Sequence, residues 1–111
     1  MNIGGNMTAT IQIRKPKRNA IGETVIEWQD AQTLRGYLDL SGGDSRYSNF
    51  NAKVQESTHI FIADYVALVE GVTAENCRML VDGLAYDVTL IDDPMHLRRH
   101  LEIYLRFTGG L

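Results

Sequence analysis

The chain has 111 residues, 44% of them hydrophobic and 23% charged, which supports one hydrophobic core and leaves no room for a catalytic domain with a lid. Its one cysteine, Cys77, excludes a disulfide within these residues, and a net charge of −3 sets it apart from the strongly basic chains that grip nucleic acid by neutralising phosphates. The charge is uneven: residues 1–20 carry Arg14, Lys15, Lys17 and Arg18 and no acid, so a +4 segment precedes a −7 body.

The opening MNIGGNMTAT has neither the charged n-region nor the apolar h-region of a signal peptide, and no apolar run reaches the roughly 18 residues of a membrane span. A soluble protein made in the cytoplasm is the expectation, with no membrane partner. Residues 7–14 alternate as a strand, with Ile11 and Ile13 on one face and Thr10 and Gln12 on the other. Residues 15–22 then read as a loop. Its cations make either a solvated turn around Pro16 or a flexible basic arm that contacts an acidic neighbour. Thr24, Ile26 and Trp28 alternate against Val25, Glu27 and Gln29. A turn at Asp30-Ala31-Gln32 leads to a second segment with Leu34, Leu38 and Leu40 on one face, so this region reads as a hairpin. Gly36 within that segment marks a bulge or bend.

Residues 41–51, SGGDSRYSNFN, lack periodicity and read as a mobile surface loop in which Tyr47 and Phe50 either anchor a partner or pack back on the core. Residues 58–65 form a strand, and either Ile60 and Ile62 or Phe61 and Ala63 face inward. Residues 66–75 are a connection.

The clearest local signal is Asp82-Gly83 within CRMLVDGLAYDVTLI, because a two-residue type I′ turn needs positive φ at both central positions. That turn fixes the register. Val81 faces Leu84, Met79 faces Tyr86 and Cys77 faces Val88 on the inner side, while Arg78 faces Asp87 on the other as an opposite-charge pair. Asp92-Asp93-Pro94 ends the second strand, and a turn through Met95 to Arg98 leads to a third over His100 to Phe107. There Leu101, Ile103, Leu105 and Phe107 oppose Glu102, Tyr104 and Arg106. The whole predicts an all-β fold, a small barrel or sandwich of about seven short antiparallel strands in a single domain, closing with a three-stranded meander.

Catalytic and metal patterns are weak. His96 and His100 flank two arginines that repel a metal ion, with His59 the only further imidazole. The Asp92-Asp93 pair is turn chemistry, Cys77 is a buried hydrophobe, and no glycine-rich stretch opens a helix that could hold phosphate. No cofactor, metal or enzymatic activity is expected.

From Thr58-His59 through VDGLAYDVTLIDDPMHLRRHLEIYLRF, about half the chain resembles the head-tail adaptor, or head-closure, proteins of long-tailed bacteriophages and of phage-like elements in Bacillus chromosomes. The features carrying the resemblance are a Thr-His strand ending in an aromatic (Tyr65), a hairpin with a Gly turn and a Tyr-x-Val strand (Tyr86, Val88), and an acidic turn before Leu101-Glu102-Ile103. It extends loosely to the strand around Trp28. Asp64 departs from the pattern, since a basic residue is common there, and no inherited ion pair is assigned to it. The resemblance implies a small β-barrel subunit at the head-tail junction of a virion assembled in the bacterial cytoplasm. Such a subunit forms a ring on a portal-adaptor ring, closes the DNA channel after packaging, docks tail proteins, and meets packaged DNA only by proximity. When isolated it is expected to be a monomer or weak oligomer. Arg14, Lys15, Lys17, Arg18, Tyr47 and Phe50 are the candidate assembly contacts, and an OB-like module that binds single-stranded nucleic acid is the alternative.

Overall fold

A computed structural model describes residues 7–40 and 57–108. The expected loop at 41–51, with Tyr47 and Phe50, lies outside the described residues. Among these residues are six strands: β1 (Met7–Arg18), β2 (Thr24–Leu40), β3 (His59–Asp64), β4 (Cys77–Val81), β5 (Leu84–Asp92) and β6 (His100–Phe107). Single 3-10 turns occur at Ala74–Asn76 and Pro94–His96. Every pairing is antiparallel, and the sheet closes on itself in the order β1-β2-β3-β6-β5-β4 because β1 pairs with both β2 and β4. Each strand of the ring thus has a neighbour on both sides over part of its length.

The meander follows the register set by its turn. Asp82 and Gly83 both have positive φ (52° and 76°), and Val81 opposes Leu84, Met79 opposes Tyr86 and Arg78 opposes Asp87. Alternate residues of every strand fill the interior. Ile11, Leu34, Phe61, Met79, Val81, Ile103 and Leu105 are fully buried, and each such side chain contributes roughly 1.5–3 kcal/mol of burial free energy. In β3 it is Phe61 and Ala63 that point inward, which leaves Ile60 and Ile62 half-buried on the outer wall. Leu84 and Phe107, inward by alternation, sit at strand ends and are partly exposed.

The structure corrects four of the sequence expectations. Residues 24–40 are one continuous strand and not a hairpin, so six strands are described where about seven were expected. The residues read as a turn are a bulge: Ile11 opposes Gln32 and Gln12 opposes Asp30, which leaves Ala31 without a partner. A single extra residue reverses which face alternate side chains occupy. Trp28 and Ile26 therefore lie on the outer face although they share parity with Leu34. Likewise the expected loop over residues 15–22, the flexible basic region, is strand as far as Arg18.

The bulge falls at Ala31 and not at Gly36. Gly36 is buried opposite Ala63, and a Cβ there would run into the Ile62 carbonyl oxygen and come within 2.7 Å of the Ala63 Cα, so it permits the close approach of β2 and β3. Finally, Arg78 and Asp87 are opposite in register, yet Asp87 takes its ion pair from Arg106 at 3.3 Å, while Arg78 turns to Trp28 and Gln12.

Candidate functional site

The long strands β1 and β2 outrun their neighbours. β4 accompanies β1 only from Ala9 to Ile13, and β3 accompanies β2 only from Gly36 to Leu40. Beyond those limits, among the described residues, β1 and β2 pair only with each other, Arg14 opposite Trp28, Lys15 opposite Glu27, Pro16 opposite Ile26, Lys17 opposite Val25 and Arg18 opposite Thr24. At about 3.4 Å per residue this two-stranded arm projects roughly 17 Å before its turn. It accounts for the elongated shape, 48 × 28 × 24 Å.

Isolated two-stranded hairpins are marginal in water, so local devices must hold this one. At the tip the Asn19 Oδ1 accepts hydrogen bonds from the backbone N–H groups of Ile21 (3.1 Å) and Glu23 (2.9 Å), and Gly22 takes a positive φ of 85°. At the foot the Gln12 side chain donates to Asp30 (2.8 Å) and accepts from the Arg78 Nε (2.8 Å), and the Arg78 guanidinium lies 4.5 Å over the Trp28 ring. This relay ties the arm to β4. Between tip and foot, Lys17 pairs with Glu27 at 3.0 Å and holds that carboxyl below its ordinary range. Both groups are exposed, so the pair adds little stability. Substituting Arg78 by Ala should remove the stacking and one charge-assisted hydrogen bond, at a cost of about 1–2 kcal/mol. Hydrogen exchange at the amides of Arg14, Lys15, Lys17 and Arg18 and of residues 24–28 should accelerate while that of β6 keeps its rate.

The held arm is amphipathic in the wrong sense for a free surface. Ile21 is 79% exposed, Ile26 43% and Val25 41%, beside the cations Arg14, Lys15, Lys17 and Arg18. Pro16 lacks a donor and sits on the free edge among cations, which opposes addition of another strand there. A groove of about 370 Å³ opens at the arm's foot, lined by Arg14, Trp28, Glu75, Cys77, Asp87 and Arg106 among others. Burial, with the Glu75 charge, pushes the Cys77 thiol up to about 11, so little thiolate is present at neutral pH and the groove offers no ready nucleophile. What this surface can do is recognise another surface through an indole, guanidinium groups and carboxylates.

The opposite wall of the barrel is acidic. Register places Tyr37, Ile62, Glu102 and Asp92 in one row across the outer face of β2, β3, β6 and β5, and Asp39, Ile60, Tyr104 and Leu90 in the next. Glu102 accepts hydrogen bonds from the Tyr104 hydroxyl (3.0 Å) and faces the His100 Nε2 (3.0 Å). Burial, then the Glu102 hydrogen bond and charge, raise the Tyr104 phenol and keep it protonated. The Asp92 carboxyl is also pushed up, chiefly by burial and then by Glu102 and Asp93. A carboxyl raised in the folded state contributes stability in acid that is lost as pH rises through its folded pKa. Asp92→Asn should therefore raise the melting temperature at pH 7, and the gain should vanish below about pH 4, where the acid is protonated in both states.

Of the sequence-predicted contacts, Arg14, Lys15, Lys17 and Arg18 are brought together on the arm, while Tyr47 and Phe50 lie outside the described residues. His100 is engaged with Glu102, and His59 meets Tyr86 edge to face (centroids 5.2 Å apart) at the other end of the barrel, so these imidazoles are not gathered into one site. Among the described residues no group of three or more His, Cys, Asp or Glu side chains could hold a metal ion. The sequence reading missed Gln12, Trp28, Arg78 and the exposed Ile21 and Ile26. Asn19 and Gly22, spaced for a tight turn, were the available signal for the arm.

Residues 4–106 match a family model described as phage head completion protein. Among solved structures the chain resembles the solution structure of protein SF1141 from Shigella flexneri 2a, with a TM-score of 0.63 and 23% identity, covering 98% of each chain. It also resembles a chain of the virion of a native gene transfer agent particle, with a TM-score of 0.60 and 12% identity over 96% of each. No curated protein matches.

Proposed function

The chain belongs to the phage head completion protein family, a family of structural virion proteins, and from that premise we propose that it joins head and tail of a long-tailed phage or prophage element. In this reading copies form a ring on the portal-adaptor ring, close the DNA channel after packaging and present the surface on which the tail docks. The observation that carries it is the projecting cationic hairpin on an otherwise acidic closed barrel. The arm, residues 14–29, holds four cations against two acids, a net +2, which leaves −5 for the rest of the chain. An arm held at its tip and foot, with Ile21, Val25 and Ile26 exposed among the described residues, suits a subunit that works in an assembly. An acidic body suits the surroundings of a DNA channel, because repulsion lets the duplex slide past without adhering. The resemblance to a chain of a gene transfer agent particle supports a place in such a particle.

The OB-like alternative makes a separable demand. Single-stranded binding needs a basic groove lined with stacking aromatics, and affinity that falls steeply with salt. Titration of a labelled single-stranded oligonucleotide with the full chain at physiological salt should give no saturable rise in fluorescence anisotropy. Saturation at low micromolar protein would move the function to that alternative.

A further inference from the structure

The arm and the outer wall of β2, β3, β6 and β5 are complementary surfaces that one chain cannot bring together. The arm prolongs β1 and β2 past the end of their pairing with β4 and β3, so its tip lies beyond the barrel and not over its wall. The arm offers Arg14, Arg18, Ile21 and Ile26. The wall offers the half-buried Ile60 and Ile62 and the partly exposed Tyr37, rimmed by Asp39, Asp92 and Glu102. The signs of charge are opposite and both surfaces have apolar centres.

We infer that the arm of one copy packs on the β2-β3-β6-β5 outer wall of the next copy, a head-to-tail contact that repeats around the ring. The inference rests on the ring assembly proposed above and names the acidic neighbour that the arm meets. Two different surfaces of one chain make a heterologous contact, which closes into a ring or continues as a filament according to the rotation it imposes. Because Pro16 and the edge cations oppose strand addition, the arm docks by its side chains. Ile21 is the anchor, held in place by the Asn19 turn, so little ordering is left for assembly.

The test is cross-linking of the full chain carrying Ile21→Cys and Ile62→Cys with a short bis-maleimide at low salt, with the unsubstituted chain, whose Cys77 is buried, as control. A ladder of covalent dimers, trimers and larger species is expected, reduced about tenfold at roughly 0.5 M salt. The same loss is expected when Arg14→Glu and Arg18→Glu reverse the arm, and when Asp92→Lys and Glu102→Lys reverse the wall. Mixing the two reversed chains should restore the ladder with the two chains alternating, since each arm then meets a wall of opposite charge, an outcome that misfolding of either could not produce. A ladder no stronger than the control, one indifferent to salt and to both reversals, or no rescue on mixing overturns the inference. Failure of the head-tail reading looks different: chains that form the ladder but do not retain DNA in tailless heads keep this contact and lose channel closure. Chains that retain DNA without a ladder lose this contact alone.

Discussion

Replacing Gly36 by Val is expected to leave no cooperatively folded protein, and replacing it by Ala to destabilise severely. A Cβ at this position meets backbone, the Ile62 carbonyl oxygen and the Ala63 Cα, and backbone in a closed sheet cannot swing aside as a side-chain end can. Relief would require moving β2 away from β3, which would break the pairing from Gly36↔Ala63 to Leu40↔His59 and uncover Phe61 and Ala63. Domains of this size have about 5–15 kcal/mol of stability in all, and losing the burial of one large core side chain takes roughly 3–5 of it. Far-UV circular dichroism and thermal melting decide the matter. A Gly36→Val chain that melts cooperatively within a few degrees of its parent would show that β2 and β3 do not approach as described.

The second large effect is on assembly and not on folding. Substituting Arg14, Lys15, Lys17 and Arg18 together by Ser should leave the melting temperature nearly unchanged, because these side chains are exposed and the ion pair of Lys17 with Glu27 contributes little. Joining to DNA-filled, tailless heads should slow by about tenfold or more at low salt, since clustered charges steer encounter more than they hold the bound state. At about 1 M salt, where the Debye length shrinks to about 3 Å, parent and variant should join at similar rates. A variant that joins as fast as the parent at low salt would remove the arm's cations from the assembly step.

What was legible in the sequence was local. Asp82-Gly83 and Asp92-Asp93-Pro94 specify turns through their own backbone preferences, and so the register of β4 and β5 and the bounds of β6 were readable. The bulge at Ala31 was not, because Asp30-Ala31-Gln32 is equally good turn chemistry and only pairing with β1 shows that the strand continues. That misreading hid the arm. The inward face of β3 stayed open since both alternations, Ile60 with Ile62 and Phe61 with Ala63, are apolar. Arg78 is paired with Asp87 by register but gains more over an indole that only tertiary structure brings near, while Arg106 takes Asp87. The four cations were seen as a group because they are close in sequence, but Pro16 argued for a loop, and its tolerance on a free strand edge restored the strand.

The central claim, a subunit that closes the DNA channel, is tested most directly by DNA retention. Purified protein is added to DNA-filled, tailless heads whose portal-adaptor ring is in place, and nuclease-accessible DNA is followed over time. The chain should bind these heads and lower the release of DNA to the level of complete particles, with the four-Ser variant doing so more slowly at low salt. Heads that leak at the same rate with and without bound protein, or protein that does not bind them at all, would contradict it.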